Sequence, residues 1–306
     1  MVHILHYHIT IIQHFRCWYF LSIKVPVQTH DFTWETTLTL SHNKNKLLSL
    51  SNDLYETDNF QELWGGLGDP ISLPTHCMEV GTGLGDFWGL KSVGVSKNGM
   101  VLVEVKDANG DWVVKEWDSS YNVENNRQRL GNGMPDIYMG WNNTFRYKGF
   151  DLNLQFTGQF GFQILNTQRA FYENNSIAYN RLKSAADYYG AINADGTPYI
   201  DPETGKQMQV RLSNSLAQGF WSDHLEDGDF LKLASATLGY TIPLSEKAKK
   251  YVSNVRCYIS GQNLFCLTGY SGLDPEVSNA FMTPGVDGRD KYPTLRSFTF
   301  GVNVNF

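Results

Sequence analysis

Few residues in this chain have the type and spacing that chemistry requires. Asp223-His224-Leu225-Glu226-Asp227-Gly228-Asp229 sets one histidine among acids, as an acid–base or metal site would. A polar, glycine-containing run ahead of an apolar strand is also loop composition, and a solvated loop is the preferred reading. Asp107-Ala108-Asn109-Gly110-Asp111 has calcium-loop residue types but neither the spacing nor the closing glutamate, so a hairpin turn is expected. Gly81-Thr82-Gly83-Leu84-Gly85 lacks the Gly-x-Gly-x-x-Gly order and any surrounding βαβ unit, which argues against phosphate binding. Asp195-Gly196 and Asp201-Pro202 read as turns. Asn142-Asn143-Thr144 fits a glycosylation pattern but falls within an expected strand, so no modification is read there. His3, His6 and His8 would hold a metal only adventitiously.

Cys17, Cys77, Cys257 and Cys266 form no C-x-x-C pair. Cys257 and Cys266 fall on one expected strand, too far apart along it to bridge. No Gly-x-Ser-x-Gly or His-Glu-x-x-His signature occurs. Catalytic and metal sites are therefore expected to be absent, cofactors are expected to be none, and the chain is not read as an enzyme. Trp112, Trp117, Tyr172, Tyr188, Tyr189 and Trp221 fall in expected loops, where aromatic rings could face a sugar. Loop packing or a protein contact is the preferred reading, and no ligand-binding residue is named.

The elements that would position these groups read as β-strands. At the C-terminus Phe298, Phe300, Val302, Val304 and Phe306 share one parity, against Ser297, Thr299, Gly301, Asn303 and Asn305. A strand sends alternate side chains to opposite faces, so one face is apolar and the other small and polar. The same alternation runs through Phe32–Ser41, Ile137–Tyr147, Phe150–Phe162, Leu233–Ile242 and Val255–Leu264, with a weaker strand over Leu47–Tyr55. Such lengths suit strands that cross a bilayer at a tilt, roughly 9–11 residues. Lys148-Gly149 reads as a hairpin turn and Asn43-Lys44-Asn45-Lys46 as another.

Short connections are expected at 43–46, 148–149 and 243–252, and long ones at about 57–135, 165–228 and 268–292. Barrels with short periplasmic turns and long outer loops have this asymmetry. On this reading Phe32–Ser41 runs from outside inwards. Tyr147, Phe150, Tyr240 and Phe306 fall at periplasmic ends, with Trp34, Phe160, Phe162 and Phe298 towards the outer ends, as two aromatic girdles. Within the loops, Val101–Val105 and Trp112–Trp117 read as a hairpin, either in the loop or extending barrel strands. Residues 168–189 space Ala170, Phe171, Ala178, Leu182 and Ala185 like a helix.

Composition agrees. Glycine is frequent and charged residues are 18%. A net charge of −6 argues against a nucleic-acid partner. No apolar run reaches the roughly 18–20 residues of a membrane helix. Residues 1–30 do not look like a signal peptide, so an outer-membrane reading requires a missing N-terminus.

The C-terminal half resembles the SusC/RagA family of TonB-linked outer-membrane proteins. The resemblance rests on Tyr147-Lys148-Gly149-Phe150-Asp151-Leu152, Asp227-Gly228-Asp229-Phe230-Leu231-Lys232-Leu233, Leu238-Gly239-Tyr240-Thr241-Ile242-Pro243 and Ser260-Gly261-Gln262-Asn263-Leu264-Phe265. Tyr270 to Glu276, Gly285-Val286-Asp287 and Tyr292-Pro293-Thr294 continue it, and Phe32-Thr33-Trp34-Glu35 and Gly85 to Gly89 extend it upstream. It covers about residues 26–306.

The resemblance implies an all-β fold: the C-terminal part of a large antiparallel transmembrane β-barrel with long extracellular loops and without its plug domain. It implies location in the outer membrane of a Gram-negative bacterium. The function expected is the barrel portion of a TonB-dependent importer for oligosaccharides or other large nutrients, incomplete alone. Implied partners are a SusD-like surface lipoprotein, the TonB complex through a missing N-terminal region, outer-membrane lipid, the barrel assembly machinery, and a glycan or peptide substrate. Phe306, Val304, Val302, Phe300 and Phe298 would form the assembly signal. Residues 1–25 stay unassigned: a start-site or frame artefact is one reading, and the strand-like alternation of Phe15 to Val25 speaks for another.

Two bare sheet edges in lipid, with about five unpaired backbone groups each, would cost on the order of tens of kcal/mol. An ordinary domain has only about 5–15 kcal/mol of stability. The wall is therefore completed elsewhere, or the chain is a non-functional remnant, or it closes as a small barrel of about eight strands. The reading from another class is a soluble β-rich carbohydrate-binding module with its apolar faces packed in a dry core.

Overall fold

Period-two alternation resolves into one continuous antiparallel meander. The computed structural model describes residues 12–51, 56–68, 71–121, 123–173, 179–213, 219–279 and 282–306. Its main sheet has seven strands: β1 (Ile12–Gln28), β2 (Phe32–Ser49), β3 (Ile137–Tyr147), β4 (Phe150–Phe160), β5 (Phe230–Thr241), β6 (Asn254–Thr268) and β7 (Ser297–Asn305). They lie side by side in chain order, and every neighbouring pair is antiparallel. The sheet is open, with β1 and β7 at its edges.

All three short connections, 29–31, 148–149 and 242–253, lie at one end, and the long ones, 50–136, 161–229 and 269–296, at the other. At 148–149 the turn needs a left-handed residue, and Lys148 supplies it at φ +51°.

Two sequence expectations change here. Asn43–Lys46 is not a turn but the interior of β2. Beyond the last β2–β3 pair, His42 with Ile137, the backbone of β2 finds other partners. Leu47 N–H donates to the Thr82 carbonyl and Gly81 N–H donates to that of Leu47, at 2.8 Å each. Asn45 accepts from Leu84 N–H at 2.7 Å. The glycine run at 81–85 is thus the segment that takes over pairing from β3. The polar run that imitated a turn belongs to a strand whose backbone pairs with β1 on one side and whose next residue, Leu47, is bonded by a loop on the other.

The true turn, 29–31, reverses the direction expected for β2. Phe32 pairs with Tyr147 at the short-turn end. Trp34, paired with Phe145, therefore sits at that end rather than at the outer girdle. The weaker strand expected over Leu47–Tyr55 continues β2 only to Ser49, and residues 52–55 lie outside the described residues, as do His3, His6, His8 and Ala178.

The long connections build a second layer with its own apolar clusters. One joins Leu90, Val101, Val103, Val105, Trp117 and Trp221. Another joins Leu67, Ile71, Phe87, Leu165, Ala170 and Phe220. The expected hairpin is present within the loop: Val101–Lys106 pairs with Trp112–Glu116, and Ser92–Val95 adds a third strand. Asp107 closes its turn by accepting from Asn109 N–H and Asp111 N–H at 2.8 and 3.0 Å. The expected loop helix is one short element, α1 (Thr167–Tyr172), capped by the Asn166 side chain. Phe162 is buried with Ile164, Phe230 and Tyr270 in this layer, so it does not belong to an exposed girdle. The four cysteines are free.

Candidate functional site

Two surfaces carry the groups with functional potential: the polar face of the sheet and the core of the loop layer. Register fixes the first. Thr33, Glu35, Thr37 and Thr39 of β2 are level with Arg146, Thr144, Asn142 and Gly140 of β3, which are level with Asp151, Asn153, Gln155 and Thr157 of β4. Directly opposed residues share a face, so these rows form a continuous polar surface.

Near the short-turn end this surface holds a charge ladder of alternating sign. Arg146 Nη1 donates to Glu35 Oε1 at 2.6 Å. Arg256 on β6 grips Asp151 on β4 through two nitrogens at 2.9 and 2.5 Å. That second pair reaches across β5. It can do so because the intervening residue is Gly239, and a Cβ there would collide with the Arg256 guanidinium. Nearer the middle of the sheet, Asn153 donates to Asn142 and Thr144 at 3.0 Å each, and Thr237 and Ser260 share a hydrogen bond at 2.8 Å.

The opposite face carries Trp34, Leu38 and Leu40 of β2, Phe145 and Trp141 of β3, Leu152, Leu154 and Phe156 of β4, and Phe298, Phe300, Val302 and Val304 of β7. Its β7 residues are open: Phe300 is 77% and Val302 62% exposed. Phe306 follows at the short-turn end, 92% exposed. Asn143 is a polar residue on this face, level with Thr36 and buried to 3% exposure. Trp34 Nε1–H donates to its Oδ1 at 3.1 Å, and the neighbouring Trp141 donates to Thr36 at 2.9 Å.

The loop core is organised around Glu226. It accepts from Ser271 N–H and Oγ–H at 2.8 Å each, from Asn166 Nδ2 at 3.0 Å and from Arg169 Nη1 at 3.1 Å. Burial opposes its ionisation, but these donors together hold the carboxyl below the usual range. Arg169 also donates to Glu173, and Ser184 donates to the same Glu173 oxygen at 2.6 Å. Tyr270 O–H donates to Asp287 at 2.7 Å, while burial pushes that carboxyl up. Thr167 donates to the Asp287 carbonyl at 2.5 Å. These bonds tie the second long connection to the third. His76 ties the first to the third, with Nε2 2.9 Å from the Pro284 carbonyl.

His224 is not the solvated loop residue its neighbours suggested. It is buried, stacked on Trp221 at 5.0 Å, and its Nδ1 has no protein partner among the described residues. Burial first, then Arg169, lowers its pKa to about 3, so it is neutral. A cavity of about 520 Å³ lies beside it, bounded also by Arg169, Glu173, Tyr189 and Trp221. Of the six loop aromatics, Trp117 and Trp221 pack edge to face in the core, whereas Trp112 and Tyr188 are exposed. No three His, Cys, Asp or Glu residues cluster as a metal site among the described residues.

The chain is thus an open meander with one greasy face, one polar face and all its long connections at one end. No protein-family model matches the chain. TonB-dependent receptor P3 of Formosa agariphila is 29% identical over 295 residues, covering 92% of this chain and 27% of that protein. TonB-dependent receptor SusC of Bacteroides thetaiotaomicron is 24% identical over 284 residues, covering 92% and 25%. The chain is a homologue of the SusC/RagA TonB-dependent receptors. It spans between a quarter and three tenths of the length of the curated relatives it matches. The solved RagAB peptide transporter shares the fold, with TM-score 0.72 at 22% identity over 96% of this chain and 29% of that one. SusC/RagA receptors are outer-membrane transporters of Gram-negative bacteria, not enzymes.

Proposed function

We propose that residues 26–306 form the C-terminal part of the barrel wall of a SusC/RagA importer for oligosaccharides or other large nutrients. The observation that carries this is the coincidence of two asymmetries in one sheet. One face is apolar and open while the other is polar, and short turns occupy one end while folded connections occupy the other. A barrel wall needs both: lipid outside and water inside, with outer loops that engage cargo. On this reading the short-turn end faces the periplasm. The folded connections form the outer surface, where a SusD-like lipoprotein would dock over a glycan or peptide. Coupling to the TonB complex would come through a region outside this sequence, and no nucleic acid takes part. Phe298, Phe300, Val302, Val304 and Phe306 would be the strand read by the barrel assembly machinery.

The open apolar face weighs against the soluble carbohydrate-binding module, which needs that face packed. Detergent dependence tests the choice. The chain is expected to need detergent or lipid to stay dispersed and β-structured. A folded monomer in plain buffer would falsify the wall assignment.

A further inference from the structure

The Arg169–Glu173 ion pair leaves capacity unused on both partners. Arg169 donates through Nε to Glu173 Oε1 at 3.1 Å, and through Nη1 to the Asp223 carbonyl at 3.0 Å and to Glu226 at 3.1 Å. Its Nη2 donates to nothing among the described residues. Glu173 Oε1 accepts from Arg169 and from Ser184, whereas Oε2 accepts from nothing among them. Glu173 is nonetheless only 7% exposed, and a buried carboxylate oxygen calls for a donor. Both residues line the cavity of about 520 Å³ beside His224. Val95, Val101, Leu212 and Trp221 give the same cavity an apolar side. Trp221 is pressed against Gly219, where a Cβ would collide with the indole, so that side is fixed in place.

Charge decides what this cavity can hold. A simple anion at Arg169 Nη2 would be a third carboxylate around one guanidinium that Glu173 and Glu226 already share. A simple cation at Glu173 Oε2 would meet Arg169 as a like charge. His224 adds no charge, because burial and Arg169 keep it neutral. Asp223, also on the wall, is open to water, which screens it. A ligand with both charges side by side answers each partner with its opposite and brings no net charge out of water.

We propose that this cavity binds a free α-amino acid with an apolar side chain, its carboxylate on Arg169 Nη2, its ammonium on Glu173 Oε2, and its side chain against Val95, Val101, Leu212 and Trp221. An α-amino acid carries its two charged groups on one carbon, which suits two partners that are themselves joined by a hydrogen bond. A cavity of about 520 Å³ has room for such a molecule. The site lies wholly in the loop layer and does not depend on the wall assignment.

Fluorine resonances of tryptophan test the proposal. The chain is labelled with fluorotryptophan and held in detergent, and Trp221→Phe assigns the Trp221 signal. Three probes of one carbon skeleton are titrated: L-leucine, isoamylammonium, which lacks the carboxylate, and isocaproate, which lacks the ammonium. Leucine is expected to shift the Trp221 signal saturably. Each analogue should bind about tenfold or more weakly, as expected for one lost charge-assisted hydrogen bond. Glu173→Gln should weaken leucine by a similar factor and leave isocaproate no weaker than before, a contrast that a damaged layer could not give. If that variant does not fold, the three affinities of the native chain still decide. No saturable shift with leucine overturns the proposal. So do equal affinities for the three probes, which would mark an apolar hole indifferent to charge, and so does leucine binding unchanged in Glu173→Gln. Each of these results leaves the wall assignment standing.

Discussion

Gly239 shows how much a missing side chain can do. It leaves the gap through which Arg256 reaches Asp151, two strands away, and so joins β4 to β6 without a residue from β5. Leucine at 239 should push the guanidinium aside and cost about 1–2 kcal/mol, the usual value of a charge-assisted hydrogen bond that is partly open to water. Thermal unfolding in detergent measures this. Gly239→Leu combined with Arg256→Ala should cost little more than the larger single change, because both remove one contact; additive costs would refute the gap argument. A different residue-scale effect comes from the buried histidines of the loop layer. Burial lowers the pKa of His76 from 6.5 to about 4, with the Pro284 carbonyl partly offsetting, and that of His224 to about 3. The unfolded chain takes up these protons near 6.5, whereas the folded chain does not until the lower values. Their contribution is complete above that pH and is lost as pH falls from about 6.5 towards 4, by at most about 1.4 kcal/mol per pH unit for each ring. Protease resistance of the loop layer should therefore drop between pH 6.5 and 4.5. His224→Phe keeps the stack on Trp221 and should flatten that slope; an unchanged slope would show that His224 does not titrate on unfolding.

At the scale of the element, the faces of β7 make the sharpest contrast. Phe300 and Thr299 are adjacent, equally near the middle of the strand, and on opposite faces. Arginine at 300 would meet hydrocarbon and cost about 2–4 kcal/mol if the strand spans the bilayer, whereas arginine at 299 would meet water at little cost. The yield of folded protein in outer membranes of a full-length parent reads the difference, and equal yields would exclude lipid contact at this strand. Phe306→Asp in the same parent should reduce assembly if the terminal aromatic is part of the recognised signal. Alternation made β3, β4, β5, β6 and β7 legible in the sequence, because one face of each is continuously apolar and register follows from it. The turn wrongly placed at Asn43–Lys46 shows the limit. Polar composition marks a turn only where the backbone has no other partner, and there β1 pairs with the run while Gly81 and Thr82 bond the next residue, Leu47, in a fold that local pattern does not encode. His224 failed for the same reason: acidic neighbours on its own segment suggested water, while Phe220, Trp221 and Arg169 enclose it. The loop strands Val101–Lys106 and Trp112–Glu116 were readable because their turn chemistry is local.

At the scale of the whole molecule the segregation of turns and loops determines which side of a membrane each must face. Every connection at one end of the sheet is short, and every connection at the other has folded into the layer held by Glu226, Asp287 and His76. On the proposed reading this layer, with its ion pairs and aromatic clusters, lies on the outer side. Single thiols report the sidedness directly. Asn109 and Asp195 are exposed on tips of the loop layer, and Lys148 and Glu246 are exposed in the short connections. Each is changed to Cys in an assembled full-length parent lacking its native thiols, and intact cells are treated with a membrane-impermeant maleimide. Asn109→Cys and Asp195→Cys should label in intact cells, whereas Lys148→Cys and Glu246→Cys should label only after the outer membrane is opened. The reverse pattern would invert the molecule. Labelling of all four in intact cells would mean that the sheet does not span, since no wall that separates two compartments can present both of its ends to one of them.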